Sequence, residues 1–524
     1  MKRNHLYLPL VLFAASSLAL SGCAPGATSQ SGGDGAGGTP AAGGDLVITQ
    51  AAGATSLNLT TVHDNPSIFT AQQIMEPLFT VSNDGKDAKP WLAKSYEVSA
   101  DQLSYTIKLR DDVHFSSGAP MTAADVKFSI DQDTKTASSG GWGYINAAIK
   151  DVAVVDDTTI KVTANYPWTP LIADLAMFSN AIVPNNYGGK TADEFYQAPV
   201  GTGPFVFDTW KKGQTLTFAK NKNYWQAGKP YLDSVTWNVV PDVNTRKLQL
   251  QGSQADIVEA PDWSSFDSLG KTPGIATKAF ESTAIDHVAF NQLRKPFADV
   301  HVRRAIAYAI DRQALVDAVL FGHGTPANSL LSPGTPYYDK DVKGPSLDLD
   351  KAKAEMAKSS VPKGFSTKLL ISSGNTEKAS NAQIIQSELK EIGIDVEITP
   401  LDPTAGRAAI NAGDYDMTLT GWTMDIPDPD QWTTFAVDPA GGAKSDYTSY
   451  ENPDVIKLNR DAQRETDPKV RADLYKQLQQ KTGDDAFLAY LYYSPYGYAM
   501  RDTVKDFLVT PLGNYHLEDV YKTK

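Results

Sequence analysis

The feature that most constrains the fold is an alternation of strand-like and helix-like segments between residues 284 and 420. The predicted strands are Ile285–Phe290, Lys368–Ser372, Ile394–Thr399 and Tyr415–Thr420, and the predicted helices are His301–Phe321, Thr376–Ile392 and Thr404–Ala412. Strands that alternate with helices form right-handed βαβ units, which build a parallel sheet with helices on both faces. The sequence therefore predicts an α/β fold with a doubly wound sheet.

A tryptophan and a carboxylate follow the last of these strands directly. The strand Tyr415–Thr420 leads into Trp422 and Asp425, and two prolines stiffen the turn that comes next. In open α/β sheets, ligands bind outside the carboxyl ends of the strands. Trp422, Thr423 and Asp425 are therefore candidate ligand-binding residues. The alternative is a proline-rich surface turn with a tryptophan in the core and solvated carboxylates.

The N-terminus has the pattern of an export signal. A basic start at Lys2 and Arg3 precedes a mostly apolar run over residues 6–20, which is too short and too interrupted to span a membrane as a helix. The run ends in Leu-Ser-Gly-Cys23, which resembles the bacterial lipobox, where the cysteine carries lipid. Residues 1–22 are therefore predicted to be a signal peptide and Cys23 the lipidation site. Cys23 is the chain's one cysteine, so no disulfide is expected.

Residues 23–44 are predicted to tether the protein to a membrane. From Ala24 to Gly44 the chain is almost entirely Ala, Gly, Ser, Thr and Pro, which bury little apolar area. No later run of 18 apolar residues follows. We therefore expect a globular body held by its lipid on the extracytoplasmic face of the cell membrane, either extracellular or periplasmic.

Length and charge exclude some functions. A chain of 524 residues is too long for one hydrophobic core, so two to four domains are expected. The formal net charge is -13, and no long cluster of Lys and Arg offsets it. Because nucleic acid binding needs a basic surface, the sequence indicates that nucleic acid is not a partner.

Several motifs occur in one order along the chain from about Asp45 to its end. They are Glu76-Pro-Leu-Phe79, Lys89-Pro-Trp-Leu-Ala-Lys-Ser-Tyr-Glu97, the stretch from Leu109 to Phe128, Pro199-Val-Gly-Thr-Gly-Pro-Phe205 and the stretch from Pro296 to Arg312. Together they resemble the peptide/nickel family (family 5) of solute-binding proteins of ABC importers, of the dipeptide- and oligopeptide-binding lipoprotein type.

The resemblance implies a two-lobed α/β fold like that of the periplasmic binding proteins (class II, cluster C), with an extra subdomain inserted in lobe one. On this basis residues 45–80, 200–283 and 497–524 are expected to form the lobe I core. Residues 81–199 would form the inserted subdomain, and residues 284–496 would form lobe II.

The resemblance also implies a function. Such proteins capture di- to oligopeptides between the lobes and deliver them to the transmembrane subunits of the permease; they are not enzymes and use no cofactor. We expect a monomer. Asp425, within Gly421-Trp-Thr-Met-Asp425, matches the residue that pairs with the α-ammonium group of the peptide.

The sequence departs from the dipeptide binders at one point. Some of them hold the ligand carboxylate with an arginine after the first βαβ strand, but the segment Ser372–Ala379 contains no arginine, and Lys378 is its cation. A lysine is a point charge rather than a planar fork. The length of the peptide and the residue that binds its carboxylate therefore stay open.

The sequence also leaves alternatives to a peptide ligand. The same family includes binders of non-peptide solutes such as nickel complexes, oligosaccharides and opine-like compounds. The seven histidines are scattered singly, and prolines occupy ligand positions of the calcium-loop template at residues 425–436, so no metal site is predicted. A lipid-anchored hydrolase is the alternative from another class, although no nucleophile elbow, zinc-protease motif or P-loop occurs.

Overall fold

The computed structural model describes residues 40–439 and 445–523. Its strands are β1 (Asp45–Gln50), β2 (Phe79–Val81), β3 (Ala88–Pro90), β4 (Ala93–Val98), β5 (Ser104–Leu109), β6 (Ile149–Asp156), β7 (Thr159–Ala164), β8 (Phe205–Lys211), β9 (Thr215–Lys220), β10 (Ser234–Val239), β11 (Ile257–Glu259), β12 (Ile275–Phe280), β13 (Ile285–Phe290), β14 (Thr325–Pro326), β15 (Phe365–Ser372), β16 (Ile394–Leu401), β17 (Met417–Trp422), β18 (Leu488–Tyr493), β19 (Tyr496–Arg501), β20 (Val504–Lys505) and β21 (Tyr521–Lys522).

The α-helices are α1 (Asn65–Ala71), α2 (Ala123–Lys135), α3 (Leu171–Asp174), α4 (Ala192–Phe195), α5 (Val243–Gln251), α6 (Trp263–Gly270), α7 (Lys295–Ala298), α8 (Val300–Ala309), α9 (Arg312–Val319), α10 (Leu349–Lys358), α11 (Thr376–Lys390), α12 (Pro403–Ala412), α13 (Asp430–Val437), α14 (Pro453–Ala462) and α15 (Pro468–Asp485).

Two large sheets define two lobes. The sheet of lobe I has the strand order β12-β19-β11-β1-β10-β9-β8, so it combines strands from both ends of the chain. The sheet of lobe II has the order β14-β18-β13-β17-β15-β16. A smaller antiparallel sheet, β4-β5-β7-β6, packs its own apolar core with α2. The predicted two-lobed α/β fold, with a subdomain inserted in lobe I, is confirmed.

The sheet of lobe II is mixed, which corrects the prediction of a parallel sheet. Strand β15 pairs in parallel with β16 and β17, as the βαβ pattern predicts. Strand β13, however, pairs antiparallel with both β17 and β18. The reason is that β18 returns from the far end of the chain, a long-range pairing that local periodicity does not reveal.

Both faces of the lobe II sheet are covered, as alternation along β13 shows. Val288 and Phe290 belong to the core on one face, whereas Ile285 and Ala289 belong to the core on the other. Successive side chains of a strand point to opposite faces. A sheet that is buried on both faces leaves its edges and strand ends as the places where a ligand reaches it.

The predicted helix His301–Phe321 is in fact two helices, which is a second correction. Ile310 has extended backbone angles, and the side chain of Asp311 accepts a hydrogen bond from the backbone N–H of Ala314, capping α9. An aspartate in this role satisfies one of the free N–H groups of a new helix. Apolar periodicity continues through both helices, which is why the sequence pattern suggested one.

The chain passes between the lobes in two short segments, residues 281–284 and residues 494–495. The Ser282 hydroxyl donates a hydrogen bond to the carbonyl oxygen of Ser494. The Ser494 hydroxyl donates to the carboxylate of Asp286, at 3.0 Å. The two crossing segments are therefore tied to each other.

Candidate ligand-binding site

Asp425 lies in the loop that follows β17 and is held by one side chain, Gln431. The amide nitrogen of Gln431 donates to the Asp425 carboxylate at 2.8 Å, and its amide oxygen accepts from the Asp425 backbone N–H, also at 2.8 Å. Gln431 is itself buried, in the first turn of α13. This pair of bonds fixes both the backbone and the carboxylate of Asp425.

The loop is also tied to a segment that crosses between the lobes. The backbone N–H of Met424 donates to the hydroxyl of Thr283, at 2.9 Å. The backbone N–H of Thr283 in turn donates to the carbonyl oxygen of Pro511, at 2.7 Å. The position of Asp425 is therefore linked directly to the connection between the lobes.

Residues from outside the lobe II sheet come close to Asp425. Tyr144 lies in a short 3₁₀ helix over residues 142–146 and is 41% exposed; desolvation of its hydroxyl raises its pKa, and the negative charge of Asp425 raises it further. Burial also raises the pKa of Tyr496, at the start of β19, and Asp425 again adds to the rise. Ile426, the next residue after Asp425, packs within the apolar core of lobe I. Asp425 thus lies where the lobes meet.

The carboxylate of Asp425 lacks a cationic partner among the residues that the structure describes. Burial raises its pKa to about 7, and the hydrogen bond from Gln431 opposes that rise only in part. A buried carboxylate is expensive to ionise unless a cation pairs with it. An ammonium group on a ligand would supply that cation.

Trp422 belongs to a cluster of three aromatic rings and contacts the other two. Its ring lies 5.0 Å from the ring of Trp432, at an interplanar angle of 13°, and 4.3 Å from that of Phe435. The indole N–H of Trp422 is buried and has no hydrogen-bond partner in the described structure. Trp422 and Thr423 are partly exposed. The cluster makes Trp422 a rigid wall beside Asp425, and its role toward a ligand stays a prediction.

The other acidic residues of this loop have structural partners. Asp428 accepts two hydrogen bonds from Arg471, at 2.6 and 2.9 Å, and both side chains are buried. Asp430 accepts from Thr434 at 2.8 Å and from Gln463 at 2.7 Å. Within residues 40–439 and 445–523, no cluster of His, Cys, Asp and Glu has an arrangement suited to a metal ion.

Lys378 is engaged within lobe II. Its ammonium group donates to the carbonyl oxygen of Leu419 at 3.1 Å. Burial lowers its pKa, and the nearby carboxylate of Asp286 opposes that change. The lysine therefore lies close to β17, but its charge already interacts with a protein carboxylate.

A cavity of about 630 Å³ opens between the lobes beside the crossing segment 494–495. Lobe I contributes Glu259 and Trp263 to its walls, and lobe II contributes Phe321 and Glu377. Tyr496 lines the cavity and is also close to Asp425, so the two regions adjoin. Pockets of this size accommodate small organic ligands.

Comparison with known proteins identifies the family. Residues 87–444 match the model of the bacterial extracellular solute-binding proteins, family 5. The chain belongs to this family. Family 5 proteins are extracytoplasmic binding proteins of ABC importers rather than enzymes, so the predicted family and the predicted absence of catalysis are confirmed.

Individual family 5 members show a range of ligands. The chain is 30% identical over 440 residues to heme-binding protein A of Haemophilus influenzae, covering 78% of this chain and 80% of that protein. It is also 30% identical over 446 residues to the glutathione-binding protein GsiB of Escherichia coli, covering 83% and 86%. The structure resembles DppA of Helicobacter pylori in complex with the peptide STSA, with a TM-score of 0.83, 28% identity and coverage of 92% and 99%.

The predicted lipidation site lies outside the described residues. Cys23 and most of the predicted tether fall within residues 1–39. At the end of the tether, however, the N–H groups of Gly43 and Gly44 already bond to Tyr231 and Asp233, at 2.8 and 3.0 Å. Within the part of the chain that the structure describes, no helix is long and apolar enough to cross a membrane.

The sequence pattern did not predict two contributors to this family 5 site. Gln431 holds the carboxylate of Asp425, and Tyr144 approaches it from a distant part of the chain. The sequence Asp430-Gln431-Trp432 indicates only the start of a helix. Nothing in the periodicity around Tyr144 points to a partner in the other half of the chain.

Proposed function

We propose that this family 5 protein binds peptides of two or more residues and that Asp425 pairs with their α-ammonium group. The observation that carries the proposal is a partly buried carboxylate between the lobes, fixed by Gln431 and lacking a cation among the described residues. An ammonium ion can donate three hydrogen bonds, and charge-assisted bonds are about twice as strong as neutral ones.

The surroundings of Asp425 suit the end of a peptide chain. The indole N–H of Trp422 is a donor without a partner in the described structure, and Asp425 acts electrostatically on Tyr144 and Tyr496 from other parts of the chain. The DppA structure similar to this one is described with a bound peptide, and GsiB is named for binding glutathione. These relatives support a peptide as the ligand.

We further propose that the protein is anchored to the membrane through lipid on Cys23 and acts there as a monomer that delivers its ligand to the permease. The proposed division of the chain is the one expected from sequence, with lobe I over residues 45–80, 200–283 and 497–524, the subdomain over residues 81–199 and lobe II over residues 284–496.

The Cys23→Ala variant tests the lipid anchor, and it should be released from the membrane or remain unprocessed. Normal processing with unchanged membrane association would contradict the anchor.

Native mass spectrometry of the purified protein tests the nature of the ligand. We expect a bound species whose mass and fragmentation correspond to a peptide, and we expect it to be absent from the Asp425→Asn variant. A bound porphyrin, sugar or metal complex in the wild-type protein would contradict the proposal. If the protein is purified without a ligand, incubation with a defined mixture of peptides repeats the test.

A further inference from the structure

The cavity between the lobes carries acidic groups on both sides. Glu259 ends strand β11 of lobe I, and Asp262 follows it at the start of α6. Glu377 lies across from them in the first turn of α11 of lobe II. Asp262 and Glu377 line the same cavity, and the negative charge of Asp262 contributes to the raised pKa of Glu377.

Glu259 is incompletely compensated. Its carboxylate accepts a hydrogen bond from the hydroxyl of Tyr498 at 3.3 Å. The nearest cation is Arg246, but the guanidinium group of Arg246 donates to the carbonyl oxygens of Val240, Pro241 and Ala260. Burial raises the pKa of Glu259 to about 7 even though Tyr498 and Arg246 oppose the rise. Arg246, which lines the same cavity, therefore offsets the charge of Glu259 only in part.

Within the described residues, Glu377 also lacks an ion pair, although the residue as a whole is exposed at the start of α11. Burial raises its pKa, and the charges of Asp286 and Asp262 raise it further. The adjacent Lys378 bonds to the carbonyl oxygen of Leu419 rather than to Glu377. In the described part of the chain, neither Glu259 nor Glu377 forms an ion pair with a lysine, arginine or histidine.

A separate observation concerns the polar groups between the cavity and Asp425. Tyr496 lines the cavity, and its buried hydroxyl lies beside the side chain of Thr423 without forming a hydrogen bond of normal geometry. A buried hydroxyl without a partner costs free energy, which a donor or acceptor on a ligand would recover. Because Tyr496 is also close to Asp425, one ligand can reach both regions.

The cavity also has apolar and aromatic walls, formed by Phe69, Trp263, Leu320 and Phe321, and Phe321 is 52% exposed. Arg246 and small polar residues such as Ser264 and Thr376 are part of the same lining. Long basic side chains bury their methylene groups on such surfaces while the charged head remains among polar groups. Aromatic rings also attract cations. The cavity therefore combines a surface for an aliphatic stem with carboxylates for a charged head.

We propose that this cavity selects peptides with a basic side chain, lysine or arginine, whose charged head lies among Glu259, Asp262 and Glu377. The inference rests on the proposed peptide function and specifies its substrate class. Because the carboxylates belong to both lobes, a single cation would bind both and relieve their repulsion. Binding would therefore favour the closed arrangement, since a ligand shifts an equilibrium by its differential affinity for the two states.

Lysine and norleucine provide the matched pair of ligands, because norleucine keeps the aliphatic stem of lysine and lacks its ammonium group. Tripeptides with alanine elsewhere would carry either residue at position one, two or three, and calorimetry would give each affinity. For at least one position we expect the wild-type protein to prefer lysine by about tenfold or more. The Glu377→Gln and Glu259→Gln variants should each reduce that preference severalfold.

Glu391→Gln is the control variant. The substitution removes the same charge, but Glu391 is exposed at the far end of α11. It should keep the full preference for lysine. If peptides bind but norleucine equals lysine at every position, the inference is wrong while the proposed function stands. If no peptide binds at all, the proposed function is wrong as well. Thermal unfolding of each variant shows whether it is folded. If the Glu259→Gln variant does not fold, the Glu377→Gln variant alone tests the preference for lysine.

Discussion

The side chain of Gln431 makes two hydrogen bonds to Asp425, one to its carboxylate and one to its backbone N–H, each 2.8 Å long. A glutamine amide is suited to this because it carries a donor and an acceptor side by side. The arrangement holds the carboxylate in place without neutralising it. Asp425 is therefore ready to pair with a cation from outside the protein.

The first prediction concerns this glutamine. Gln431→Leu keeps the approximate size of the side chain but removes both bonds, leaving the Asp425 N–H and carboxylate unsatisfied. We expect a loss of about 1–3 kcal/mol in unfolding free energy and weaker peptide binding. Urea unfolding and calorimetry measure the two effects. Gln477→Leu, at an exposed site on α15, is the control and should change stability by less than about 0.5 kcal/mol. Equal stability of the two variants would contradict this role for Gln431.

The second prediction concerns pH and stability. The pKa of Asp425 is raised from 3.8 to about 7 by burial, so between these values the folded state binds more protons at this site than the unfolded state does. The contribution of Asp425 to stability therefore falls as pH rises through this window. Relative to wild type, Asp425→Asn should gain stability from pH 4 to pH 7, with little further change above. A difference in unfolding free energy that is independent of pH would contradict the raised pKa.

The third prediction concerns pH and binding. A peptide ammonium group favours the ionised form of Asp425, so binding near neutral pH should release protons and strengthen as pH rises from 5.5 toward 7.5. Above about pH 8 the peptide amine itself loses its proton, and affinity should fall. Calorimetry in buffers of different ionisation enthalpy measures the protons released. The Asp425→Asn variant should show less release, and equal release by both proteins would contradict the assignment.

The fourth prediction concerns the buried ion pair of the same loop. Arg471 and Asp428 are both buried and share two hydrogen bonds, so Arg471→Leu leaves a buried carboxylate without its partner. We expect a loss of about 3–5 kcal/mol in unfolding free energy. The control is Lys481→Met, which breaks an exposed pair with Asp454 and should cost at most about 1 kcal/mol. Similar losses in both variants would show that Arg471 does not stabilise the loop in this way.

The fifth prediction concerns motion between the lobes. The crossing segments 281–284 and 494–495 are short and bonded to each other, and Thr283 also holds the N–H of Met424. We expect these two segments, together with the strand residues that flank them, to act as the hinge. Small-angle scattering should show a smaller radius of gyration when peptide is added. An unchanged radius at saturating, independently verified binding would contradict closure.

The sequence predicted those parts of the fold that depend on local pattern. The strand Ile285–Phe290 has the predicted bounds, and the helix after Asn375 begins where its cap places it. The sequence pattern did not predict two features, of which the first depends on long-range strand pairing and the second on one capping residue. These are the return of β18 beside β13 and the break before α9, where Asp311 starts a new helix.

The site was predictable in part for the same reason. Asp425 follows a strand of an α/β sheet, so its position at a strand end follows from local pattern. Its partner Gln431 and the approaching rings of Tyr144 and Tyr496 become neighbours only when distant segments pack together. The acidic walls of the cavity likewise come from separate lobes, through Glu259 and Glu377. Contacts of this kind leave no periodic signal in a single sequence.

The central claim is that Asp425 recognises the α-ammonium group of a peptide. The most direct measurement is calorimetry of four combinations: wild type and Asp425→Asn, each with a free and an N-acetylated form of one peptide. We expect acetylation to weaken binding to wild type by about 2–5 kcal/mol, much of it the cost of leaving the carboxylate unpaired, and to affect the variant much less. Equal binding of the free and acetylated peptides to the wild-type protein would contradict the claim.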